Sequence, residues 1–214
     1  MTLFILLSSF ILLSSVACSK SEPASDSSAP APAPSRASGA SPAGSVGGTV
    51  PGFSPGAFAV IVLTPKTARD FPAPAEAPVM DQVGQTFGPP VLFVRTGHPV
   101  EFRNSDDTLH NVHVTNEDTR EGAFNVAIPT GNSYMYTFKE DGFYHVGCDI
   151  HPAMSAEIIS TTSPFATTAN DDGSYEFVEV PPGSYRLMIL SGGKKSESDV
   201  EVTGPQSRGA PSPE

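Results

Sequence analysis

Three soft donor side chains lie within seven residues of one another, in the sequence CDIHPAM. Cys148, His151 and Met154 follow at a spacing of three, in a chain that has only two cysteines and five histidines. A thiol, an imidazole and a thioether are ligands of soft or borderline metal ions, and a thiol beside an imidazole can also act as a nucleophile. The spacing therefore predicts a chemical site whose nature depends on the side chain that joins it.

Strand alternation predicts the fourth donor. Successive side chains of a β-strand point to opposite faces. In LHNVHV, His110 shares a face with two valines and should point inward, whereas His113 should point outward. In FYHVGC the same alternation places Cys148 with apolar residues and His145 on the opposite face. We therefore expect His110 and Cys148 to meet on an apolar face.

The four side chains then form a thiolate, two-imidazole and thioether set. This set, with a weak axial Met, characterises blue-copper sites, in which sulfur stabilises Cu(I) and imidazole suits both oxidation states. One copper per chain, cycling between Cu(I) and Cu(II), is the predicted cofactor. Zn(II) is an alternative that accepts Cys and His, although Met is a poor zinc ligand. A Cys–His nucleophile is another alternative, and no oxyanion or third-residue signature accompanies it.

The N-terminus predicts export. An apolar run from Leu3 to Leu13 is followed by small residues and Cys18. The run is short for a membrane span and is typical of a secretory signal. The junction resembles a bacterial lipoprotein signal, in which the cysteine is lipidated and becomes the first residue. Residues 1–17 are thus predicted as a signal peptide, with Cys18 as a lipid anchor in the periplasm or cell envelope; an ordinary secretory signal is the alternative.

Composition predicts a tether behind this anchor. Ser, Ala and Pro make up 21 of the 27 residues from Ser19 to Ser45, too polar and small a set to form a packed core. Residues 18–46 are predicted as a disordered linker and residues 204–214 as a disordered tail. The net charge of −11 argues against nucleic acid or an anionic membrane surface as a partner. Membrane contact is expected only through the lipid.

The remaining residues predict an all-β fold. Short apolar or alternating runs are separated by turn residues such as Pro181-Pro182-Gly183, and no amphipathic helix is recognisable. With Cys18 lipidated, Cys148 would have no disulfide partner, which favours a metal-bound thiol. The candidate strands are Ala57–Leu63, Val91–Val94, Val100–Arg103, Asn111–Thr115, Ser133–Phe138, Gly142–Val146, Ala156–Ser160, Tyr175–Val180, Tyr185–Leu190 and Asp199–Val202.

The ligand region resembles that of the cupredoxins. The spacing from Cys148 to Met154 is similar to that of the amicyanin branch, and FRNSDDTLHNV resembles the segment that leads to the first His ligand. The resemblance covers about residues 79–160 and implies a Greek-key β-sandwich. It implies Asn111 as the residue that ties the two ligand loops together, and His151 as the surface exit of the electron. The ligands it implies are His110, Cys148, His151 and Met154.

A second resemblance concerns the flanking residues. SPFATTANDDGSYEFVEVPPGSYRLMIL resembles exported plastocyanin-like or methylamine-utilisation-like bacterial proteins. It is also similar to the latter half of a small transthyretin-like, carboxypeptidase-regulatory-like β-sandwich. Residues 47–78 together with 161–203 are therefore predicted to form that sandwich, with the cupredoxin domain inserted into it.

Together these features predict an electron-transfer protein rather than an enzyme. A mononuclear blue copper protein would exchange single electrons with a redox protein partner, such as a basic cytochrome or a dehydrogenase. Two alternatives are a copper-binding or trafficking protein and a glycan-binding or adhesion module based on the second sandwich.

Overall fold

The structure, a computed structural model, describes residues 43–204 and 207–208. All regular structure in this part of the chain is β-strand, so the predicted all-β fold is confirmed. None of the described residues forms a helix that could cross a membrane. The predicted signal peptide (1–17), Cys18 and most of the predicted linker and tail lie outside the described residues.

The strands are arranged in four sheets. The strands are β1 (Gly44–Thr49), β2 (Ala59–Pro65), β3 (Val79–Val83), β4 (Thr86–Gly88), β5 (Val91–Arg95), β6 (Pro99–Asn104), β7 (His110–Asn116), β8 (Gly122–Ile128), β9 (Ser133–Thr137), β10 (Gly142–Gly147), β11 (Ser155–Thr161), β12 (Ala166–Thr168), β13 (Ser174–Val180), β14 (Gly183–Ser191), β15 (Lys194–Val202) and β16 (Ser207–Arg208). The strand orders in the four sheets are β5-β11-β10-β7-β8, β4-β3-β6-β9, β12-β2-β14-β15 and β13-β1-β16.

The first two sheets enclose one core and form the first sandwich. Alternate residues of β6 and β7, among them Phe102 and Val112, are fully buried in it. Aromatic rings fill the space between the sheets, and Phe138 contacts Tyr136 edge to face at 5.0 Å between centroids. Tyr134 and Tyr136 are partly buried against this core. The metal-ligand candidates Cys148 and Met154 belong to the same cluster.

The other two sheets enclose a separate core and form the second sandwich. Val46, Leu63 and Tyr185 are buried in it with less than 2% exposure. The strands that build it come from both sides of the first sandwich in sequence. Strand β2 precedes the first sandwich, and it pairs with β12 and β14, which follow it. The tyrosine hydroxyl of Tyr185 donates to Pro181 O (2.7 Å), so the hydroxyl keeps a partner at the edge of the core.

Strand β2 explains how the two sandwiches meet. Its residues AVIVL are buried without alternation, which is the pattern of a strand covered on both faces. Ile61 and Leu63 face the second core, whereas Val60 and Val62 form a third apolar cluster with Ile159 of β11. The five-stranded sheet and the sheet containing β2 therefore pack against each other.

Two boundaries differ from the predicted ones. Strand β1 begins at Gly44, inside the predicted linker, because its glycines allow close approach: a Cβ on Gly48 would lie 2.8 Å from Tyr175 Oη. In the predicted tail, Ser207–Arg208 pairs in parallel with Val46 and Gly47. A glycine-rich strand with one inward valine carries little hydrophobic periodicity, so composition assigned it to the linker.

Candidate metal centre

His110 begins β7 and is completely buried. The loop before it is organised by the buried Asn104, whose Nδ2 donates to Thr108 O (2.8 Å) and Ile128 O (2.7 Å). Asn104 Oδ1 accepts from the backbone N–H of Asp106 (3.0 Å). These bonds satisfy both the oxygen and the nitrogen of the Asn104 side-chain amide. The loop can therefore bury this polar side chain against the core without leaving a hydrogen-bonding group unpaired.

Asp106 orients the His110 ring. The Nε2–H of His110 donates to Asp106 Oδ2 at 2.9 Å. With its proton on Nε2, the ring presents the Nδ1 lone pair to the interior, which is the role of a carboxylate behind a metal-binding histidine. The backbone N–H of Gln85 and the His110 contact together hold the pKa of Asp106 below its usual value. The carboxylate is therefore ionised and remains an acceptor at neutral pH.

Cys148 follows β10, and the turn from Cys148 to Met154 joins β10 to β11. The backbone N–H of Met154 donates to His151 O at 2.9 Å, which closes this turn. Cys148 is 3% exposed, Met154 is 2% exposed, and His151 is half-buried. The thiol is a free cysteine in the described part of the chain.

Three donor atoms face one another at the end of the first sandwich. His110 Nδ1 lies 2.9 Å from His151 Nδ1, and Cys148 Sγ lies 3.9 Å and 3.8 Å from these two nitrogens. A metal ion bonded to two of them would separate them by at most about 4.1 Å for two nitrogens, or about 4.4 Å for nitrogen and sulfur. All three separations are within these limits, so the side chains fit a common ion.

Asn111 ties the two ligand loops together. Its Oδ1 accepts from the Cys148 thiol (3.3 Å) and from the backbone N–H of Asp149 (2.7 Å). Its Nδ2 donates to Asp149 Oδ2 at 2.9 Å. The residue after one histidine thus holds both the cysteine and the turn that carries the other histidine. This is the contact that the resemblance implied for Asn111.

Other polar residues that hold the site were not recognised from the sequence. The fully buried Gln82 donates through Nε2 to Asn111 O (3.2 Å), and its Oε1 has no hydrogen-bond partner. Asn104 and Asp106 were also missed. The run NSDD before His110 is a turn signal that could have indicated them, because Asn and Asp commonly bond nearby backbone groups. Gln82 carries no such signal.

The remaining histidines lie away from these donors. His113 pairs with Asp149 Oδ1 (3.0 Å), and its side chain is 41% exposed. His145 pairs with Glu157 Oε1 (3.2 Å) and is 43% exposed. Both point outward, as strand alternation predicted. His110 and Cys148 are buried, as the alternation predicted, although Asn111, on the face of His113, is buried as well.

Apolar side chains are exposed next to two of the donors. Leu109, before His110, is 47% exposed, and Ile150, before His151, is 46% exposed. Exposed large apolar side chains of this kind are a common feature of interaction surfaces. His151 is also the half-buried donor of the three, whereas His110 and Cys148 are buried.

Known proteins are similar to the first sandwich. Residues 78–161 match the family model described as copper binding proteins of the plastocyanin/azurin family. A purple cupredoxin from Nitrosopumilus maritimus is 20% identical, with a TM-score of 0.36, over 39% of this chain and 98% of its own. A reduced amicyanin variant is 24% identical, with a TM-score of 0.37, over 46% of this chain and 97% of its own. A copper-containing nitrite reductase from Thermus scotoductus is 28% identical, with a TM-score of 0.37, over 45% of this chain and 25% of its own.

No curated protein sequence matches the chain. Because the TM-scores are below 0.5, the family assignment rests on the family model. That model spans the strands β3 to β11 and includes every donor of the site. The resemblance predicted from the ligand region is thereby confirmed: residues 78–161 are a cupredoxin domain of the copper-binding plastocyanin/azurin family.

Proposed function

We propose that the protein is a mononuclear type 1 copper protein that transfers single electrons and is not an enzyme. The observation that carries this proposal is the convergence of His110 Nδ1, His151 Nδ1 and Cys148 Sγ, whose donor atoms all lie within 4.8 Å of one another. Met154, buried in the same core, would be the fourth ligand. A bound copper ion would supply a one-electron Cu(I)/Cu(II) couple.

The chain itself would limit rearrangement at the site. His110 and Cys148 are buried, so water has little access to them. Asp106 fixes the His110 ring, and Asn111 fixes Cys148 and the following turn. Preorganised hydrogen bonds around metal-binding residues keep them in place and tune their basicity. Such a site would change little in structure between two charge states.

The apolar surface beside His151 would receive the redox partner. Replacing Ile150 with Lys would place a positive charge on this surface, which repels a basic partner, and Val178→Lys is a matched control because Val178 is 61% exposed on the second sandwich. Electron exchange with a basic c-type cytochrome should slow severalfold in Ile150→Lys alone, with an unchanged copper spectrum. Equal rates in the two variants would place electron exit elsewhere.

Visible and EPR spectra after addition of Cu(II) test the central proposal. A strong blue thiolate-to-copper band with narrow copper hyperfine splitting is expected. A colourless protein, or the EPR spectrum of tetragonal Cu(II), would overturn it.

Burial of two donors supports an electron carrier over a copper trafficking protein. A carrier that delivers copper must release it, whereas His110 and Cys148 are enclosed by the core. Copper should therefore stay bound through many redox cycles in the presence of a competing chelator. Release at each reduction would favour trafficking instead.

The proposed location is the bacterial cell envelope, with the protein anchored by lipid on Cys18. The signal-like N-terminus supports this part of the proposal. Mass spectrometry of the exported protein should find a lipid-modified residue 18 as its first residue. An unmodified N-terminus at another position would argue for an ordinary secretory signal.

We also propose that the first sandwich is inserted into a transthyretin-like, carboxypeptidase-regulatory-like sandwich. The pairing of β2 with both β12 and β14 supports this, because residues 161–203 alone would lack the central strand of their sheet. A fragment of residues 79–160 should bind copper, whereas a fragment of residues 161–203 should stay unfolded. Independent folding of the second fragment would contradict the insertion.

A further inference from the structure

A second group of metal-binding side chains lies on the outer face of the five-stranded sheet. Glu117, His145 and Glu157 each offer one donor atom, and these atoms all lie within 4.8 Å of one another. His145 of β10 is paired directly with Glu157 of β11. Glu117 follows β7, and its backbone N–H donates to Phe143 O at 2.8 Å. Three neighbouring strands therefore hold the three side chains in place.

This group is distinct from the cupredoxin site. Along β10, Tyr144 and Val146 point into the core, whereas His145 points outward. His145 Nδ1 lies 3.2 Å from Glu157 Oε1, so this nitrogen is directed at the carboxylate. The outer group contains no thiol, and its donors are one imidazole and two carboxylates.

Two carboxylates converge here with little compensating charge. Burial raises the pKa of Glu157, and the charge of Glu117 raises it further, while His145 opposes both effects. The only salt bridge of Glu157 among the described residues is the one with His145. Glu117 Oε2 lies 3.2 Å from Arg120 Nη1, but Arg120 is 75% exposed, and exposed pairs contribute little. A cation between the carboxylates would relieve their repulsion.

A cleft gives access to the group. It has a volume of about 500 Å³ and lies between the two sandwiches, with Glu117 and Glu157 on one wall and Gly192 and Gly193 on the other. Lys195 also lines the cleft, and its ammonium group pairs with Glu197 at 3.1 Å. The two carboxylates are thus reached from solvent through a partly enclosed space.

We propose that Glu117, His145 and Glu157 bind a divalent transition-metal ion of the borderline class, Zn²⁺ or Cu²⁺. Imidazole favours these ions over Ca²⁺ and Mg²⁺, which take oxygen ligands, and the absence of sulfur disfavours Cu(I). Three protein donors leave at least one position for water or an external ligand, as in zinc sites that are open to substrate. The inference does not depend on the function proposed for the first site.

Zinc titration of the full-length Cys148→Ala variant tests the proposal without a functional first site. Isothermal titration calorimetry is expected to detect one Zn²⁺ bound by the outer group in each chain. Adding Glu157→Gln or Glu117→Gln to the Cys148→Ala variant should lower the affinity for this ion more than about tenfold, because loss of even a residue that only supports a metal ligand lowers metal affinity that much. Any zinc held by His110 and His151 would be unaffected by these changes. Glu176→Gln, in β13 of the second sandwich, removes the same charge and should leave zinc binding intact.

NMR provides a measurement that does not rely on the Gln variants. Addition of Zn²⁺ to Cys148→Ala should shift the ring resonances of His145 saturably, and near-UV circular dichroism would verify that the Gln variants are folded. Unshifted His145 resonances, or equal zinc affinity in Glu157→Gln and Glu176→Gln, would overturn the proposal. Absence of a blue copper band in the unsubstituted protein would reject only the proposed function of the first site.

Discussion

The two sandwiches are built from similar strands but bury different chemistry. In the first, Gln82, Asn104, His110 and Asn111 are buried at the end that carries the metal-ligand candidates. In the second, the core is made of apolar side chains and tyrosines, and the buried Ser163, whose Oγ donates to Leu63 O, lies against it. Because an unpaired buried polar group destabilises a fold, a core without them is simpler to stabilise. The buried polar residues of the first sandwich are therefore explained by the metal-ligand candidates that they hold in position.

Hydrogen bonds account for most of these buried groups. Asn104 and Asn111 use both their carbonyl and amide groups, and His110 uses its Nε2 with Asp106. Only Gln82 keeps an unpaired buried oxygen among the buried side chains of this region. Almost all of these buried polar residues thus hold in place a metal-ligand candidate or the loop that carries one. Substitutions in the two sandwiches should accordingly have different effects.

The largest expected effect is that of Cys148→Ala, which removes the soft donor of the site. We expect complete loss of the thiolate-to-copper band, with the β-sheet circular dichroism signal retained, because Ala fits the space of a small buried side chain. His98→Ala is the control, since His98 lies in the β5–β6 turn outside the site. A blue band that survives Cys148→Ala would mean that the site had been wrongly identified.

Leu63→Ala should show the opposite pattern in the second sandwich. Leu63 is completely buried there, and truncation of a buried leucine costs about 2–5 kcal/mol of unfolding free energy. Below the melting temperature, the copper spectrum should be identical to that of the unsubstituted protein. Chemical denaturation and visible spectra measure the two effects, and an altered spectrum would show that the second sandwich shapes the copper site.

Asn111→Ala is expected to affect both stability and the site. The substitution removes the acceptor of the buried Cys148 thiol and of the partly buried Asp149 N–H, and loss of these bonds costs about 1–3 kcal/mol. Copper affinity should fall about 10–100-fold, the usual effect of losing a residue that supports metal ligands. Competition with a copper chelator measures this. Unchanged affinity would show that the ligand loops hold themselves in place.

Regular strands made the central residues predictable. His110 begins β7 and Cys148 directly follows β10, so counting residues along these strands placed each side chain on the buried face, although Asn111 on the opposite face of β7 is buried as well. Strand β8 was not predicted because its residues are mostly half-buried or exposed at the edge of its sheet. Strand β3 was missed because the polar pair Asp81-Gln82 interrupts its apolar pattern, although Gln82 is fully buried.

Contacts between distant segments could not be predicted from patterns in the sequence. The apolar run of β2 indicates that both of its faces are covered, but it does not indicate that Ile159 of β11 covers one of them. The bond between Asp106 and His110 was missed for a related reason. A turn-forming aspartate can bond many nearby groups, and its partner depends on how Asn104 folds the loop. Tertiary packing determines which residues contact each other, and the hydrophobic periodicity of a single segment carries no information about it.

The smallest expected effect is that of Glu157→Gln, in metal-free protein, at the edge between the two sandwiches. Burial raises the pKa of Glu157 in the folded state, so the native protein binds more protons than the unfolded chain between the usual and the raised pKa. Stability therefore falls as pH rises through this window, and the penalty persists at neutral pH. Glu157→Gln should remove this dependence and raise the unfolding free energy at pH 7 by less than about 1 kcal/mol, since the group is partly solvent-screened. Urea denaturation from pH 4 to pH 8, with Glu176→Gln as the control, measures the slope. An identical slope in the two variants would show that Glu157 is stabilised by His145 as much as it is destabilised by burial.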